Sequence, residues 1–221
     1  MSPAIEITAR RDGVDPALPS TRPLLLLLHG YGSHEGDLPS LAAYLPDAFD
    51  WVSLRAPLGL PTGGFAWFPI TVPGRPGAES VIEAADAVLA WLDAHVHPGT
   101  PVVPLGFSQG GLMVTQLLRQ APGRFPAGVV LSGFTLDATL PGDEVLAATR
   151  TPVFFGHGDA DRVISAETTA RASAWLPGHS TLTEKVYAGL PHSISAEELD
   201  DVSRFLTEAL VSAGRTTRNG V

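Results

Sequence analysis

The segment 102–111, VVPLGFSQGG, constrains the fold more than any other part of the chain. An apolar run of strand type leads directly into Gly-x-Ser-x-Gly around Ser108, and a sequence of helix type follows. This is the context of a nucleophile elbow, a sharp and strained turn between a strand and a helix with a serine at its tip. Gly106 and Gly110 supply the small residues that such a turn needs. The segment therefore predicts a strand–turn–helix unit of an α/β sheet with an accessible serine hydroxyl.

The bare motif carries little weight by itself, because the chain holds 23 glycines among its 221 residues. In a chain of this composition Gly-x-Ser-x-Gly arises by chance in roughly one case in ten. A base, an acid and a second oxyanion donor, in the right order along the chain, decide whether the motif has chemical meaning.

Composition excludes several classes of function. The net charge of −9 argues against a nucleic-acid partner and against stable association with anionic membranes. The absence of cysteine excludes disulfides, a thiol nucleophile and cysteine metal sites, and it fits a reducing compartment. The start of the chain does not resemble a signal peptide, and the apolar run 24–28 is too short to cross a bilayer. We therefore expect a cytoplasmic protein, and the Ala, Gly, Pro and Arg usage indicates a GC-rich bacterial genome. A homodimer is the default expectation for its assembly.

Strand and helix patterns alternate along the chain, which predicts a mostly parallel sheet with helices on both faces. Strands are predicted at 5–9, 23–28, 51–54, 102–107, 128–131, 152–155 and 182–187, and helices at 37–45, 79–96, 109–120, 166–176 and 196–211. Ser195 is the expected N-cap of the last helix, with Glu198 completing a capping box. One domain is expected over residues 1–213, followed by a disordered tail at 214–221.

Polar residues follow the predicted strands at the end where parallel sheets gather their functional groups. They are HGYG at 29–32, Ser108, GHGDAD at 156–161 and GLPHS at 189–193. Serine, then carboxylate, then histidine is the chain order of an α/β-hydrolase triad.

Four motifs together resemble one family. They are LLHGYG at 27–32, GFSQGG at 106–111, HGDADRVI at 157–164 and PHSI at 191–194. From about residue 23 to residue 210 the chain resembles the phospholipase/carboxylesterase family of small α/β-hydrolases, which includes the acyl-protein thioesterases. The resemblance implies an α/β-hydrolase fold with a mostly parallel central sheet and no large cap domain.

The resemblance also implies roles for particular residues. Ser108 is the expected nucleophile, His192 the base, and Asp161 the carboxylate that orients His192. Asp159 lies two residues earlier in the same loop and remains the alternative acid of the triad. The backbone N–H groups of Tyr31 and Gln109 are the expected oxyanion hole. No metal and no cofactor are expected.

The remaining candidates have simpler interpretations. His29 and His157 are interpreted as structural residues near the site. The pair His95 and His97 has the spacing of metal ligands, but no third ligand accompanies it. Leu112 and Met113 are expected in the core.

The aromatic residues Phe65, Trp67 and Phe68 are expected to form the wall of the substrate pocket, because the family places a tryptophan segment near its substrate. A small satellite core under a long loop remains the alternative. Family members often carry an acid shortly after this tryptophan, whereas Phe68-Pro69 follows here.

The expected function is hydrolysis of a small-molecule carboxylic ester through an acyl-enzyme. A lysophospholipase or an acyl-protein thioesterase needs the same catalytic parts and remains an alternative. A non-catalytic binding protein on the same fold is the alternative from a different class. Such a protein is expected to have lost one of Ser108, Asp161 and His192, and all three are present.

Overall fold

A seven-stranded sheet forms the centre of the computed structural model, which describes residues 5–70 and 75–218. Its strand order is β1-β3-β2-β6-β7-β8-β9. The strands are β1 Glu6–Arg10, β2 Leu24–Leu28, β3 Asp50–Arg55, β6 Val102–Phe107, β7 Gly128–Leu131, β8 Pro152–Gly158 and β9 Thr181–Tyr187. Two short strands, β4 Leu58–Gly59 and β5 Phe65–Ala66, pair separately. Only the edge strand β1 pairs antiparallel within the large sheet, which confirms the predicted mostly parallel architecture.

The helices lie between the strands, close to their predicted positions. They are a 3₁₀ helix Leu38–Tyr44, α1 Ala78–His95, α2 Gln109–Gln120, α3 Asp143–Thr149, α4 Ala166–His179 and α5 Ala196–Arg218. Helix α3 was not predicted. Helix α5 continues to Arg218, so the predicted tail boundary at residue 214 lies within it, and residues 219–221 lie outside the described residues. None of the helices in the described part of the chain has the length and apolar character needed to span a bilayer.

Strand β2 shows why the sheet needs cover on both faces. Its five leucines are all buried. Leu24, Leu26 and Leu28 belong to the buried cluster that also contains side chains of α1, α2, α3 and α4. Leu25 and Leu27 belong to the cluster on the opposite face, which contains side chains of α5 and the 3₁₀ helix. Since burying one leucine side chain stabilises a fold by about 1.5–3 kcal/mol, an all-leucine strand strongly favours a central position.

The order of the strands brings their carboxyl ends together at one edge. β6 lies between β2 and β7, with Gly106 opposite Leu28, and β8 follows β7. The loops after β2, β6, β8 and β9 therefore converge, and these loops carry the residues expected to be functional.

Candidate active site

Ser108 lies at the turn between β6 and α2 with φ 55° and ψ −114°. A positive φ is unfavourable for a residue with a side chain and persists only where the surroundings enforce it. Here Ser108 N–H donates to the carbonyl of Leu131 on β7, and the Ser108 carbonyl accepts from Leu112 in α2. The strained turn of the predicted elbow is thus present, and it directs the serine away from the sheet.

Glycine is required at two positions around this turn. A Cβ atom on Gly110 would lie 1.9 Å from the carbonyl oxygen of Leu28, and one on Gly106 would lie 2.1 Å from the carbonyl oxygen of Gly110. Both neighbours are backbone atoms that cannot move independently. The close approach of α2 to β2 and β6 therefore depends on the missing side chains.

Three side chains from three different loops form a continuous hydrogen-bonded chain. His192 Nε2 lies 2.9 Å from Ser108 Oγ, and His192 Nδ1 lies 2.7 Å from Asp161 Oδ2. Ser108 follows β6, Asp161 follows β8 and His192 follows β9. The residues are 84 and 31 positions apart along the chain, so only the folded sheet brings them together.

The structure distinguishes the two candidate carboxylates. Asp161 contacts His192 through Oδ2, while its Oδ1 accepts from the backbone N–H groups of Val163 at 2.8 Å and Ile164 at 3.0 Å. Asp159 accepts instead from the N–H of Gly189 at 2.6 Å. Asp161 is therefore the carboxylate with the geometry to orient His192, whereas Asp159 ties the β8 loop to the loop that carries His192.

The imidazole of His192 is enclosed rather than solvent-exposed. Its side chain is 15% exposed and that of Asp161 is 5% exposed. The ring of Phe107 lies beneath it, with ring centroids 4.8 Å apart. Enclosure of this kind limits competition by water for the hydrogen bonds that hold the ring in place.

Two backbone N–H groups lie beside Ser108. A Cβ atom on Gly30 would lie 3.5 Å from Ser108 Cβ, which places the loop after β2 against the serine. Tyr31 follows in this loop, and Gln109 is the first residue of α2. In the described part of the chain, neither N–H donates to another protein group. The N-terminus of α2 also carries the positive end of the helix dipole.

A cavity of about 380 Å³ opens above these groups. Most of its wall is apolar, and Asp37 is the acidic residue on it. It is lined by Gly30, Tyr31, Ser33, Asp37, Phe68, Ile70, Pro76, Phe107, Ser108, Gln109, Phe134, Val163, Ile164 and His192. The candidate nucleophile and base thus face an apolar chamber that suits a hydrophobic ligand.

The three aromatic residues predicted for the pocket wall have different positions. Phe68 lines the cavity. Trp67 is only 1% exposed and packs against the ring of His29, with centroids 5.5 Å apart, so it belongs to the layer beneath the site. Phe65 lies under the guanidinium of Arg55 at 4.7 Å. Phe65 and Trp67 are not among the described residues that line this cavity, and a role for them in substrate binding stays a prediction.

The other histidines singled out from the sequence lie outside the hydrogen-bonded chain of Ser108, His192 and Asp161. His29 is fully buried, and His157 lies 3.1 Å from the carboxylate of Glu184. His95 Nδ1 lies 3.0 Å from the carbonyl of Trp91, and His97 Nδ1 accepts from the N–H of Gly99. Within residues 5–70 and 75–218, no cluster of three potential metal ligands occurs.

Glu198 is a buried group whose environment the sequence did not reveal. Its backbone N–H donates to Ser195 Oγ at 3.1 Å, so the predicted N-cap is present. Its carboxylate, however, is completely buried and has no hydrogen-bond partner among the described residues. Burial raises the pKa of Glu198 to about 7, and the nearby backbone of Ser195 offsets only part of this effect.

Residues 14–210 match the protein family described as phospholipase/carboxylesterase. An acyl-protein thioesterase 1 from Debaryomyces hansenii is 29% identical over 180 residues, which cover 74% of this chain and 78% of that protein. The carboxylesterase SOBER1 from Arabidopsis thaliana is 30% identical over 161 residues, covering 68% of this chain and 71% of that protein.

Solved structures agree with this result. The crystal structure of Arabidopsis thaliana SOBER1 superimposes with a TM-score of 0.73 at 26% identity. The match covers 86% of this chain and all of that structure. Both the sequence and the fold therefore point to the same group of proteins.

Proposed function

The chain belongs to the phospholipase/carboxylesterase family of ester hydrolases, and on that basis we propose that it cleaves carboxylic esters through an acyl-enzyme formed on Ser108. The observation that carries the proposal is the hydrogen-bonded chain Ser108–His192–Asp161 at the mouth of an apolar cavity. A nucleophile, a base and an orienting acid within hydrogen-bonding distance are the parts that acyl transfer needs.

In the first half of the reaction, Ser108 Oγ attacks the ester carbonyl carbon while its proton passes to His192 Nε2. The resulting imidazolium is stabilised by Asp161, which also holds the ring in the tautomer that leaves Nε2 free to accept. Collapse of the tetrahedral intermediate breaks the bond to the alcohol oxygen. His192 returns the proton to that oxygen, and the alcohol departs.

In the second half, water takes the place of the alcohol. His192 removes a proton from this water as its oxygen attacks the acyl carbon. A second tetrahedral intermediate collapses, the proton returns to Ser108 Oγ, and the carboxylic acid is released. The alcohol leaves with the proton that came from Ser108, and a proton from water takes its place, so one cycle consumes one ester and one water and restores the enzyme.

The oxyanion of each intermediate lies between two backbone donors in this proposal. The N–H groups of Tyr31 and Gln109 are free to receive it, and the N-terminus of α2 adds a favourable field. Such preorganised donors contribute most where negative charge develops, and removing one side-chain donor of this type costs about 10²–10³ in kcat.

The cavity wall supports an apolar, uncharged acyl group as the substrate class. Phe68, Ile70, Phe134 and Ile164 line the space next to Ser108, while Asp37 disfavours an anionic group. The net charge of −9 likewise favours a freely diffusing neutral ester over an anionic bilayer surface. The thioester alternative rests on the relative named acyl-protein thioesterase 1.

Turnover of 4-nitrophenyl esters from acetate to palmitate tests the proposal. The native chain is compared with Ser108→Ala and with Ser132→Ala. Ser132 is a matched control because it is also buried, follows the neighbouring strand β7 and has a positive φ of 45°, yet its hydroxyl has no hydrogen-bond partner among the described residues.

We expect Ser108→Ala to lose roughly 10⁴–10⁶ in kcat and Ser132→Ala to keep near-native activity. The preferred chain length then reports the depth of the cavity. Turnover by Ser108→Ala at the native rate would refute Ser108 as the nucleophile. Absence of turnover with every ester and thioester tested would favour the binding-protein alternative.

A further inference from the structure

The side chain of Gln109 connects α2 to a distant part of the chain. Its Oε1 accepts from the backbone N–H of Trp67 at 2.9 Å, and its Nε2 donates to the carbonyl of Phe68 at 2.8 Å. These partners are 42 and 41 residues away in the sequence. Gln109 is only 2% exposed, so both ends of its amide are used inside the protein and on one segment, residues 65–68. We call this segment the aromatic strap.

The aromatic strap is attached on its other side to the loop after β2. Trp67 Nε1 donates to the carbonyl of His29 at 2.8 Å. Gly32 N–H donates to the carbonyl of Phe65 at 2.9 Å, and Phe65 N–H donates to the carbonyl of Ser33 at 2.8 Å. These three bonds flank Tyr31 in the loop after β2, so the position of its N–H depends on the strap.

The ring of His29 braces the same loop from below. Its Nε2 accepts from the N–H of Ala56 at 3.1 Å, so the proton resides on Nδ1, which lies 2.7 Å from the carbonyl of Gly30. Burial lowers the pKa of His29, which favours the neutral ring with one donor and one acceptor. These hydrogen bonds hold the loop in place, and the aromatic strap joins it to the side chain of Gln109 on α2.

We propose that the Gln109 side chain is a positioning residue that sets the separation of the two oxyanion donors. The N–H of Tyr31 lies in the loop after β2, and the N–H of Gln109 lies on α2. Gln109 holds the aromatic strap, and the strap holds the loop of Tyr31. The inference rests on the proposed function, because it assigns the side chain a task in stabilising the oxyanion.

A positioning role differs measurably from a purely structural one. A side chain that only stabilises the fold changes the amount of folded enzyme but not the rate of each folded molecule. A side chain that aligns oxyanion donors changes the stabilisation of the transition state, and therefore kcat, more than ground-state binding. If the side chain aligns the oxyanion donors, its loss also weakens the binding of an inhibitor that mimics the tetrahedral intermediate, by a factor similar to the loss in kcat.

The test uses two variants that remove different hydrogen bonds between α2, the aromatic strap and the loop after β2. Gln109→Leu removes both bonds from α2 to the strap, whereas Trp67→Phe removes the bond from the strap to His29 and retains an aromatic ring. Gln116→Leu is the matched control, because Gln116 is a fully buried glutamine on the same helix whose amide bonds to Gln120. For each protein, kcat, KM, the inhibition constant of an alkylboronic acid and the melting temperature are measured.

We expect Gln109→Leu and Trp67→Phe each to lower kcat about ten- to a hundredfold per folded molecule, with a smaller change in KM. The alkylboronic acid, which forms a tetrahedral adduct with the serine, should bind more weakly by a similar factor. Gln116→Leu should retain kcat and boronate affinity whatever its melting temperature.

Unchanged kcat and boronate affinity in folded Gln109→Leu would overturn the inference. If Gln109→Leu does not fold, Trp67→Phe decides by the same criterion. Failure of the proposed function itself has a separate signature, since Ser108→Ala would then retain activity or the native chain would have none.

Discussion

At the scale of single residues, the two aspartates of the β8 loop offer a matched comparison. Asp161→Asn removes the charge beside His192 and allows the wrong ring tautomer, so we expect a loss of about 10³–10⁴ in kcat. Asp159→Asn perturbs only the contact with Gly189 and should reduce kcat less than about tenfold. Steady-state kinetics on one ester distinguishes the two. Equal losses in both variants would contradict the assignment of Asp161.

The buried carboxyl of Glu198 predicts a pH-dependent stability. Because the pKa of Glu198 is about 7 in the folded chain and near 4.3 when unfolded, the folded state binds the extra proton between these values. Stability from this group is complete below the unfolded pKa and is lost as pH rises through about 7. The full loss is about 4 kcal/mol, at about 1.4 kcal/mol for each pKa unit.

Glu198→Gln keeps the shape and removes the charge, so we expect this variant to be more stable than the native chain at pH values above 7 and similar near pH 4.5. Urea unfolding across the pH range measures the difference. Glu197→Gln is the control, since Glu197 is exposed in the same helical turn. A native chain and a Glu198→Gln variant with parallel pH profiles would refute the prediction.

The residues that meet at the candidate site were predictable from sequence where a motif and chain order constrained them. Ser108 and His192 stood at the ends of recognisable strands, and the structure brings them together. The resemblance favoured Asp161 over Asp159 in the same loop, and the contact of Asp161 with His192 agrees with that choice. The side-chain contacts of Gln109 link positions more than 40 residues apart, so no local pattern could reveal them.

At the scale of elements, a glycine-to-alanine substitution is expected to have opposite effects in the strand–turn–helix unit and in α4. Gly110→Ala places a Cβ 1.9 Å from a backbone oxygen of β2, so we expect loss of activity and destabilisation beyond the roughly 1–3 kcal/mol of ordinary overpacking. Gly178 lies in α4, and a Cβ atom added to it would meet no neighbouring group within 4 Å. Gly178→Ala should therefore stabilise the protein by about 0.4–1 kcal/mol. Thermal unfolding and ester turnover of both variants test this, and an active, stable Gly110→Ala enzyme would contradict it.

Elements with a clear apolar pattern were predicted well, and elements without one were missed. Helix α2 and strand β7 have their predicted bounds. Helix α3 has seven residues, and its buried positions are Asp143 and Leu146, which gives no apolar period to detect. Its anchor is the buried pair of Arg119 with Asp143 at 2.7 Å, a contact made between distant segments. Strands β4 and β5 have two residues each, too few for any alternation.

At the scale of the whole molecule, the net charge of −9 and Asp37 on the cavity wall both disfavour an anionic substrate. We expect 4-nitrophenyl butyrate to be cleaved with a kcat/KM at least about tenfold above that of the 4-nitrophenyl monoester of succinate, whose distal carboxylate is repelled. High salt should reduce the ratio of the two kcat/KM values, because it screens the repulsion between the charges. Asp37→Asn should narrow it further, and equal cleavage of both esters at low salt would contradict the predicted selectivity.

The architecture of the whole chain explains how residues scattered over its length form one site. A parallel sheet directs every strand's carboxyl end to the same edge, and its central strands carry the loops that meet there. The strand pattern therefore predicted where the site would be. The shape of the cavity depended on which aromatic side chains turned inward, and packing decides this only after the fold has formed.

Covalent labelling shows directly whether Ser108 is the nucleophile. An alkyl fluorophosphonate should add to Ser108 Oγ with loss of fluoride, and mass spectrometry of the intact chain and of its peptides locates the adduct. We expect one adduct on the peptide containing Ser108 in the native chain and in Ser132→Ala, and none in Ser108→Ala. Labelling of Ser108→Ala to the same extent, or no labelling of the native chain, would contradict it.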